Sequence, residues 1–288
     1  MTRKPDFMII GAMKCATSTL HGQLAVQEGV VMSMPHKPNF FSHEENWAKG
    51  LSWYWSLFAR ARDADVCGES STAYTALPTH PDVVSRVREH VPDAKFIYVM
   101  RNPLDRLVSH YIQAWADRVV TSPLAKAIHE YAPLVQSSQY AMQLEPWFEA
   151  FGKERVLPVF FERLQTHPQA ELERVCSFIG HRGTPVWKAD LTASTPSSQR
   201  MRDSKLRNLL VYAPGMSMVR QRMPEVVRNR VKRLWTMKKR PQLSEADVRR
   251  LEAVFNPDLD KLGRWLGIDA LTCANFDATT RDQAYAWV

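Results

Sequence analysis

Phe7-Met8-Ile9-Ile10 is an apolar run of buried-strand length, and it leads into Gly11-Ala12-Met13-Lys14-Cys15-Ala16-Thr17-Ser18-Thr19-Leu20, a turn of small residues that opens a helix. A strand that stops at glycine and small hydroxyl residues leaves several backbone N–H groups unpaired at a helix N-terminus, where partial positive charge favours an anion. Lys14 adds a full charge. The pattern is P-loop-like without being a Walker A motif, which sets Lys directly before the helix-opening Ser/Thr behind a glycine-rich run; here Lys14 stands three residues ahead of Thr17. By itself the stretch fits a structural βα turn equally well.

A second segment has the same grammar. Lys95-Phe96-Ile97-Tyr98-Val99-Met100 reads as another buried strand, followed by Arg101-Asn102-Pro103-Leu104-Asp105-Arg106-Leu107-Val108-Ser109-His110-Tyr111. Asn102 suits an N-cap, Pro103 the first helical position and Asp105 the first turn. Leu104, Val108, Tyr111, Ile112 and Trp115 recur at helical spacing, which assigns that face to the core and leaves Arg101 and Ser109 off it. The plainer reading is a capped helix in which Arg101 pairs with Asp105 and Ser109 meets solvent.

Together the two segments resemble the sulfotransferases that use 3'-phosphoadenosine 5'-phosphosulfate (PAPS). The family loop, roughly Lys-x-Gly-Thr-Thr-x-Leu, is matched by Lys14-Cys15-Ala16-Thr17-Ser18-Thr19-Leu20. The resemblance implies that Lys14, the backbone of Cys15 and Ala16, and the N–H and hydroxyl groups of Thr17, Ser18 and Thr19 hold the 5'-phosphosulfate. The family's strand-end Arg, with a Ser eight residues later on the 3'-phosphate, corresponds to Arg101 and Ser109. Ala16 stands where the family has Gly, which narrows the approach of the loop to the phosphate. Ser33 to Ser42, Gly50 to Tyr54 and Gly68 to Tyr74 are similar to segments of one branch, the heparan-sulfate-type enzymes and their soluble bacterial relatives.

Departures from that branch fall where its chemistry is expected. Its Lys-Glu-Pro-x-Phe-Phe segment, whose Glu is the general base, aligns with His36-Lys37-Pro38-Asn39-Phe40-Phe41, so Lys37 occupies the base position. The Lys of a later motif becomes Ser70. A protonated Lys accepts no proton unless strongly desolvated or set beside another cation, whereas a His serves near neutrality. Three base candidates follow, His36, Glu69 and His43, and a His after Pro also fits a plain surface loop. Sulfuryl transfer asks for positioning and for charge stabilisation, with Lys14 over the departing bridging oxygen as PAP leaves. The scheme requires no metal, and the nine histidines form no His-Glu-x-x-His and the cysteines no Cys-x-x-Cys pair.

At 288 residues and 45% hydrophobic content, one α/β domain spanning 1–288 is expected. Strands are read near 6–10, 30–33, 65–68, 95–100 and 155–160, and helices near 17–28, 47–59, 81–90, 103–117, 124–132, 139–150 and 168–180, with a loop over 183–199. Such alternation predicts a mainly parallel central sheet flanked by helices, with phosphate-binding turns at strand C-terminal ends. Cys15, Cys67, Cys176 and Cys273 are widely spaced, as in a reducing compartment. Cys15 is either small-residue filler or a thiol activated by the helix start. With no signal peptide and no apolar run of spanning length, a cytoplasmic enzyme without a stable membrane anchor is expected.

Residues 200–250 hold 15 Lys/Arg against 4 Asp/Glu, more than the whole +8 excess of the chain. A solvated helical face, a lid over an anionic ligand, and a nucleic-acid or anionic-membrane surface using Val231 to Arg240 all fit such a block. In the lid reading, Arg200 or Arg202 reaches the 3'-phosphate. Trp47, Trp53, Tyr54, Trp55 and Phe58 are mainly core by their helical spacing. Lys37, Phe40, Phe41, His43 and Trp53 are the expected acceptor-binding residues. A small hydroxylated or amine-bearing acceptor is favoured over a glycan because no extracellular routing is evident, and nucleic acid is not an expected partner. The residues fix no oligomeric state. A nucleotide-dependent kinase would need a Gly-Lys-Ser/Thr loop and an acidic metal-binding strand end, which the chain lacks. A non-catalytic basic binding protein is the remaining alternative.

Overall fold

Five strands, β1 (Phe7–Gly11), β2 (Val30–Met32), β3 (Val66–Ser70), β4 (Lys95–Met100) and β5 (Val156–Phe160), make one parallel sheet in the order β2-β3-β1-β4-β5. They belong to a computed structural model that describes residues 3–192 and 239–288. Each strand lies within two residues of its sequence-predicted span. A parallel sheet covered on both faces takes strands that are apolar throughout, and Phe7, Met8, Ile9 and Ile10 of the central β1 are all fully buried. The Phe7 ring lies directly over Gly68 of β3, where a Cβ would stand 2.2 Å from it.

The crossovers run through α1 (Thr17–Ala25), α2 (Glu44–Trp47), α3 (Gly50–Ser56), α4 (Val83–His90), α5 (Pro103–Ala116), α6 (Leu124–Glu130), α7 (Pro133–Gln136), α8 (Tyr140–Phe151), α9 (Phe161–Thr166) and α10 (Pro168–Ile179). Two later helices, α11 (Glu245–Leu266) and α12 (Phe276–Thr280), complete the described residues. Helix α1 packs on α10, while α8 packs on both α4 and α11. The predicted start of α5 is realised: Asn102 Oδ1 accepts from Leu104 N at 3.1 Å, and Pro103 opens the helix.

Two expectations about the 40–60 region are corrected. The helix read over 47–59 is broken into α2 and α3, because Gly50 takes φ 78°, a left-handed value that interrupts helical geometry. Phe40 and Phe41 are fully buried and belong to the core rather than to an acceptor wall. Phe40 stacks on Tyr54 at 4.5 Å, Phe41 meets Tyr54 edge-on at 5.1 Å, and Phe41 only backs a surface cleft at His43. Trp53 is partly buried beneath Lys49, whose ammonium sits 4.5 Å from the ring.

The basic segment expected over 200–250 lies outside the described residues up to position 238, and Arg200 and Arg202 with it. Its last part is described: Arg240 precedes α11, whose Ser244 caps the helix by accepting from Asp247 N at 3.1 Å. Among the described residues no helix is long and apolar enough to cross a membrane.

Candidate active site

Because β1 pairs directly with β4, the two charged strand ends lie side by side at the carboxyl edge of the sheet. Ala12 N donates to Val99 O at 2.7 Å and fixes the start of the loop to β4. Gly11 is required there, since a Cβ would come within 2.0 Å of Thr75 Oγ1, a hydroxyl that donates to Ile10 O at 2.8 Å. Lys14 and Ala16 then adopt left-handed φ values of 73° and 63°. Each costs a non-glycine residue about 1–2 kcal/mol, and alternation of this kind turns successive N–H groups toward one point, an anion-binding concavity.

Helix α1 starts from Ala16 with no side-chain cap, so its first N–H groups stay available to a ligand. Thr17 is buried, Ser18 exposed and Thr19 in between. Cys15 is fully buried and its thiol is pushed up to about 12 by that burial, which makes it filler in the floor of the loop. Lys14 Nζ donates to Gln113 Oε1 at 3.1 Å. Gln113 escaped the sequence reading, although it sits one helical turn beyond Ser109 on the same side of α5.

Arg101 forms the ion pair expected of it, Nη2 to Asp105 Oδ2 at 3.2 Å, with its guanidinium 4.4 Å from the Phe161 ring. Its Nε is enclosed without a partner, a donor waiting for an acceptor. Ser109 is buried on α5 rather than solvated. Asp105 also accepts from Arg240 Nη2 at 2.7 Å, so two guanidiniums meet on one carboxylate. The sequence placed Arg240 in a basic cluster read as a nucleic-acid or membrane surface, and gave no sign of its pairing with Asp105.

Beneath them lies Arg106, fully buried, donating to Ser138 Oγ and Leu134 O at 2.5 Å each and to His110 Nδ1 at 3.3 Å. Among the described residues it has no carboxylate partner. His110 must then be the neutral Nε2–H tautomer, and burial together with Arg106 and Lys14 holds its pKa down at about 3. Lys14, Arg101, Arg106 and Arg240 thus form a cationic neighbourhood with an enclosed free donor and an uncapped helix start. These features fit a ligand with phosphate groups at two ends, as PAPS has. Among the described residues no three His, Cys, Asp or Glu side chains converge to hold a metal.

At the ends of β2 and β3 the base candidates separate. Glu69 is fully buried and accepts from Tyr54 OH, from Ser71 Oγ at 2.5 Å and from Tyr74 OH at 2.7 Å. Burial raises its pKa, and with three hydroxyl donors on the carboxylate it braces β3 against α3, walled off from any acceptor. Lys37 is exposed. Ser70 Oγ is enclosed without a partner. His43 bonds to Ser42 Oγ at 2.9 Å and stacks on His80 at 5.1 Å in a cleft of about 390 Å³ that also takes in Thr79, Asp82 and Arg86. None of those contacts touches the phosphate loop.

His36 differs from both. It is half-buried, and its ring meets His21 edge-on at a centroid distance of 4.1 Å. His21 lies one turn beyond Thr17 on the same side of α1, about 6 Å along the axis from the loop. Burial and the nearby Lys37 lower the His36 pKa, so the ring is neutral near pH 7.

A parallel sheet with two cation-bearing strand ends side by side at its carboxyl edge defines an α/β protein of the doubly covered kind. The comparisons with known proteins make this specific: residues 4–264 match the sulfotransferase domain, and the chain belongs to that family. Mouse heparan sulfate glucosamine 3-O-sulfotransferase 3A1 is 31% identical over 185 residues, covering 61% of this chain and 46% of the mouse protein. The chain therefore spans about half the length of that relative. A sulfotransferase from Alicyclobacillus acidocaldarius shares the fold with a TM-score of 0.67 at 20% identity, covering 93% of this chain and 97% of its own. A mouse sulfotransferase complexed with PAP does so with a TM-score of 0.53 at 14% identity, covering 91% of this chain and 87% of its own.

Proposed function

We propose that this chain is a PAPS-dependent sulfotransferase that sulfates a hydroxyl or amine of a small or glycan acceptor. The observation that carries the reading is the pairing of β1 with β4, which sets the Lys14 loop beside Arg101 and Ser109. When bound, PAPS supplies the sulfuryl group and leaves as PAP, its S–O bond to phosphate breaking as the bond to the acceptor forms. The N–H groups from Cys15 to Thr19 and the hydroxyls of Thr17, Ser18 and Thr19 hold the 5' end. Arg101, Ser109 and Arg240 hold the 3'-phosphate, with the free Nε of Arg101 as a donor. Lys14, released from Gln113, neutralises charge on the leaving oxygen, a role that counts in the transition state more than in the ground state.

In this reading His36 takes the acceptor's proton, supported by its neutral state and by its contact with the helix that leaves the phosphate loop. Lys37 and Trp53 remain the proposed acceptor contacts. A small alcohol or amine is the favoured acceptor, and the reading includes a single functional domain. A cytoplasmic setting accords with four buried free cysteines. Calorimetry with PAP and ADP in metal-free buffer tests the assignment: PAP binds at least tenfold more tightly, because ADP offers Arg101 no 3'-phosphate. Equal affinity for the two would refute it.

A further inference from the structure

Two nitrogens at the edge of this site have no partner. His21 Nδ1 and His36 Nε2 are both enclosed, and neither makes a hydrogen bond. They belong to the two rings that meet edge-on at 4.1 Å. His21 is more than nine-tenths buried, which locks its ring in α1, while the half-exposed His36 sits on an irregular segment after β2. A buried imidazole nitrogen without a partner is less stable than a satisfied one, so two on adjoining rings form an arrangement poised to close. Among the described residues the charge acting on both rings is that of Lys37, which favours neutrality in each.

We infer that His21 is a positioning residue for His36: in the cofactor-bound enzyme His36 Nε2–H donates to His21 Nδ1, which leaves the lone pair of His36 Nδ1 turned toward the acceptor. Chemically this is a base held by a second group that fixes its tautomer and direction, with a neutral imidazole in the orienting role. Nε2 is the His36 nitrogen enclosed against the protein, so the free nitrogen is the one an acceptor can reach. As the acceptor oxygen bonds to sulfur, its proton passes to Nδ1 and PAP departs with the electron pair of the broken S–O bond. The resulting imidazolium keeps its Nε2–H on His21. This inference rests on His36 as the base.

The test uses the full chain saturated with PAP, with histidine ring nitrogens labelled for NMR, as wild type, His21→Leu and His21→Gln. The expected wild-type result is a single Nε2–H tautomer at His36. His21→Leu, an apolar residue suited to that buried position, mixes the tautomers, and His21→Gln, which retains an acceptor, restores the single form. With PAPS as donor and p-nitrophenol or heparan sulfate as acceptor, His21→Leu lowers kcat about 10–100-fold at unchanged KM for PAPS, and adds nothing in a His36→Ala background. Unchanged His36 signals in His21→Leu, or an Nδ1–H tautomer in the wild type, would overturn the pairing while leaving the base assignment standing. Full turnover by His36→Ala would overturn the base assignment itself, whatever the spectra show.

Discussion

At the ends of β1 and β4, four cations share a neighbourhood with one ion-paired carboxylate, Asp105, and a free donor on Arg101. At the ends of β2 and β3, the corresponding groups are neutral imidazoles and a carboxylate already saturated by three hydroxyls. In the proposed reading the first region is organised around charge that a ligand brings. The second, in the same proposed reading, is organised around a proton that a ligand gives up, and burial holds its two imidazoles neutral. That contrast accords with Lys14, Arg101 and Ser109 matching the family pattern while Lys37 replaces its Glu: few side chains bind a phosphate dianion, whereas several can accept a proton.

The largest expected effect would break the contrast on the proton side. His36→Ala lowers kcat/KM by about 10²–10⁴, and removes the acidic limb of the pH profile. The sign follows from the lowered pKa: activity is full above it and falls as acid protonates the ring, so the wild-type limb lies below the ordinary histidine value of about 6.5. An unaltered limb in the variant would move the base elsewhere. Next in size is Lys14→Ala, with kcat down about 10²–10³ and only a modest loss of PAP affinity. Were only the KM for PAPS to change, Lys14 would be a binding group and nothing more.

Arg101→Ala sharpens the charged half. PAP affinity drops by about 1.5–3 kcal/mol, tenfold or more, while ADP affinity stays as it was, both read by calorimetry. Glu69→Gln probes whether the saturated carboxylate is structural. Its amide cannot accept from three hydroxyls, so thermal or urea unfolding is expected to show a loss of about 1–3 kcal/mol with the pH profile of activity intact. The last effect, read on stability rather than on activity, concerns His21 and His110, both held down at about 3. The unfolded chain binds these protons first, so the stability they contribute is present above pH ~6.5 and drains away toward pH 3, each adding at most about 1.4 kcal/mol per pH unit. His110→Gln should flatten that slope in denaturation curves taken from pH 7 to pH 4.

The charged half was the more legible in sequence, and for a physical reason. Strand, turn and helix start are contiguous, so Phe7 to Leu20 and Lys95 to Tyr111 each announce themselves within one short stretch. The partners of those residues do not: Gln113 meets Lys14 across 99 positions and Arg240 meets Asp105 across 135. Gln113 still had a signal, its helical spacing from Ser109, as α11 had in Ser244 and Asp247. Glu69 reads as a chemical group in the sequence because the hydroxyls that occupy it come from a helix and a turn outside β3. The Phe40 and Phe41 rings show the same limit, since burial on Tyr54 depends on where α3 folds back.

Cys15 has a further consequence outside catalysis. Thiols react as thiolates, and a fully buried sulfur with a pKa near 12 holds a negligible thiolate fraction at physiological pH. A cysteine in the middle of a cofactor loop would ordinarily expose an enzyme to peroxide, to alkylating electrophiles and to mixed-disulfide formation. Here the sulfur is shielded from all three, so the loop keeps its small residue without acquiring an oxidative off-switch.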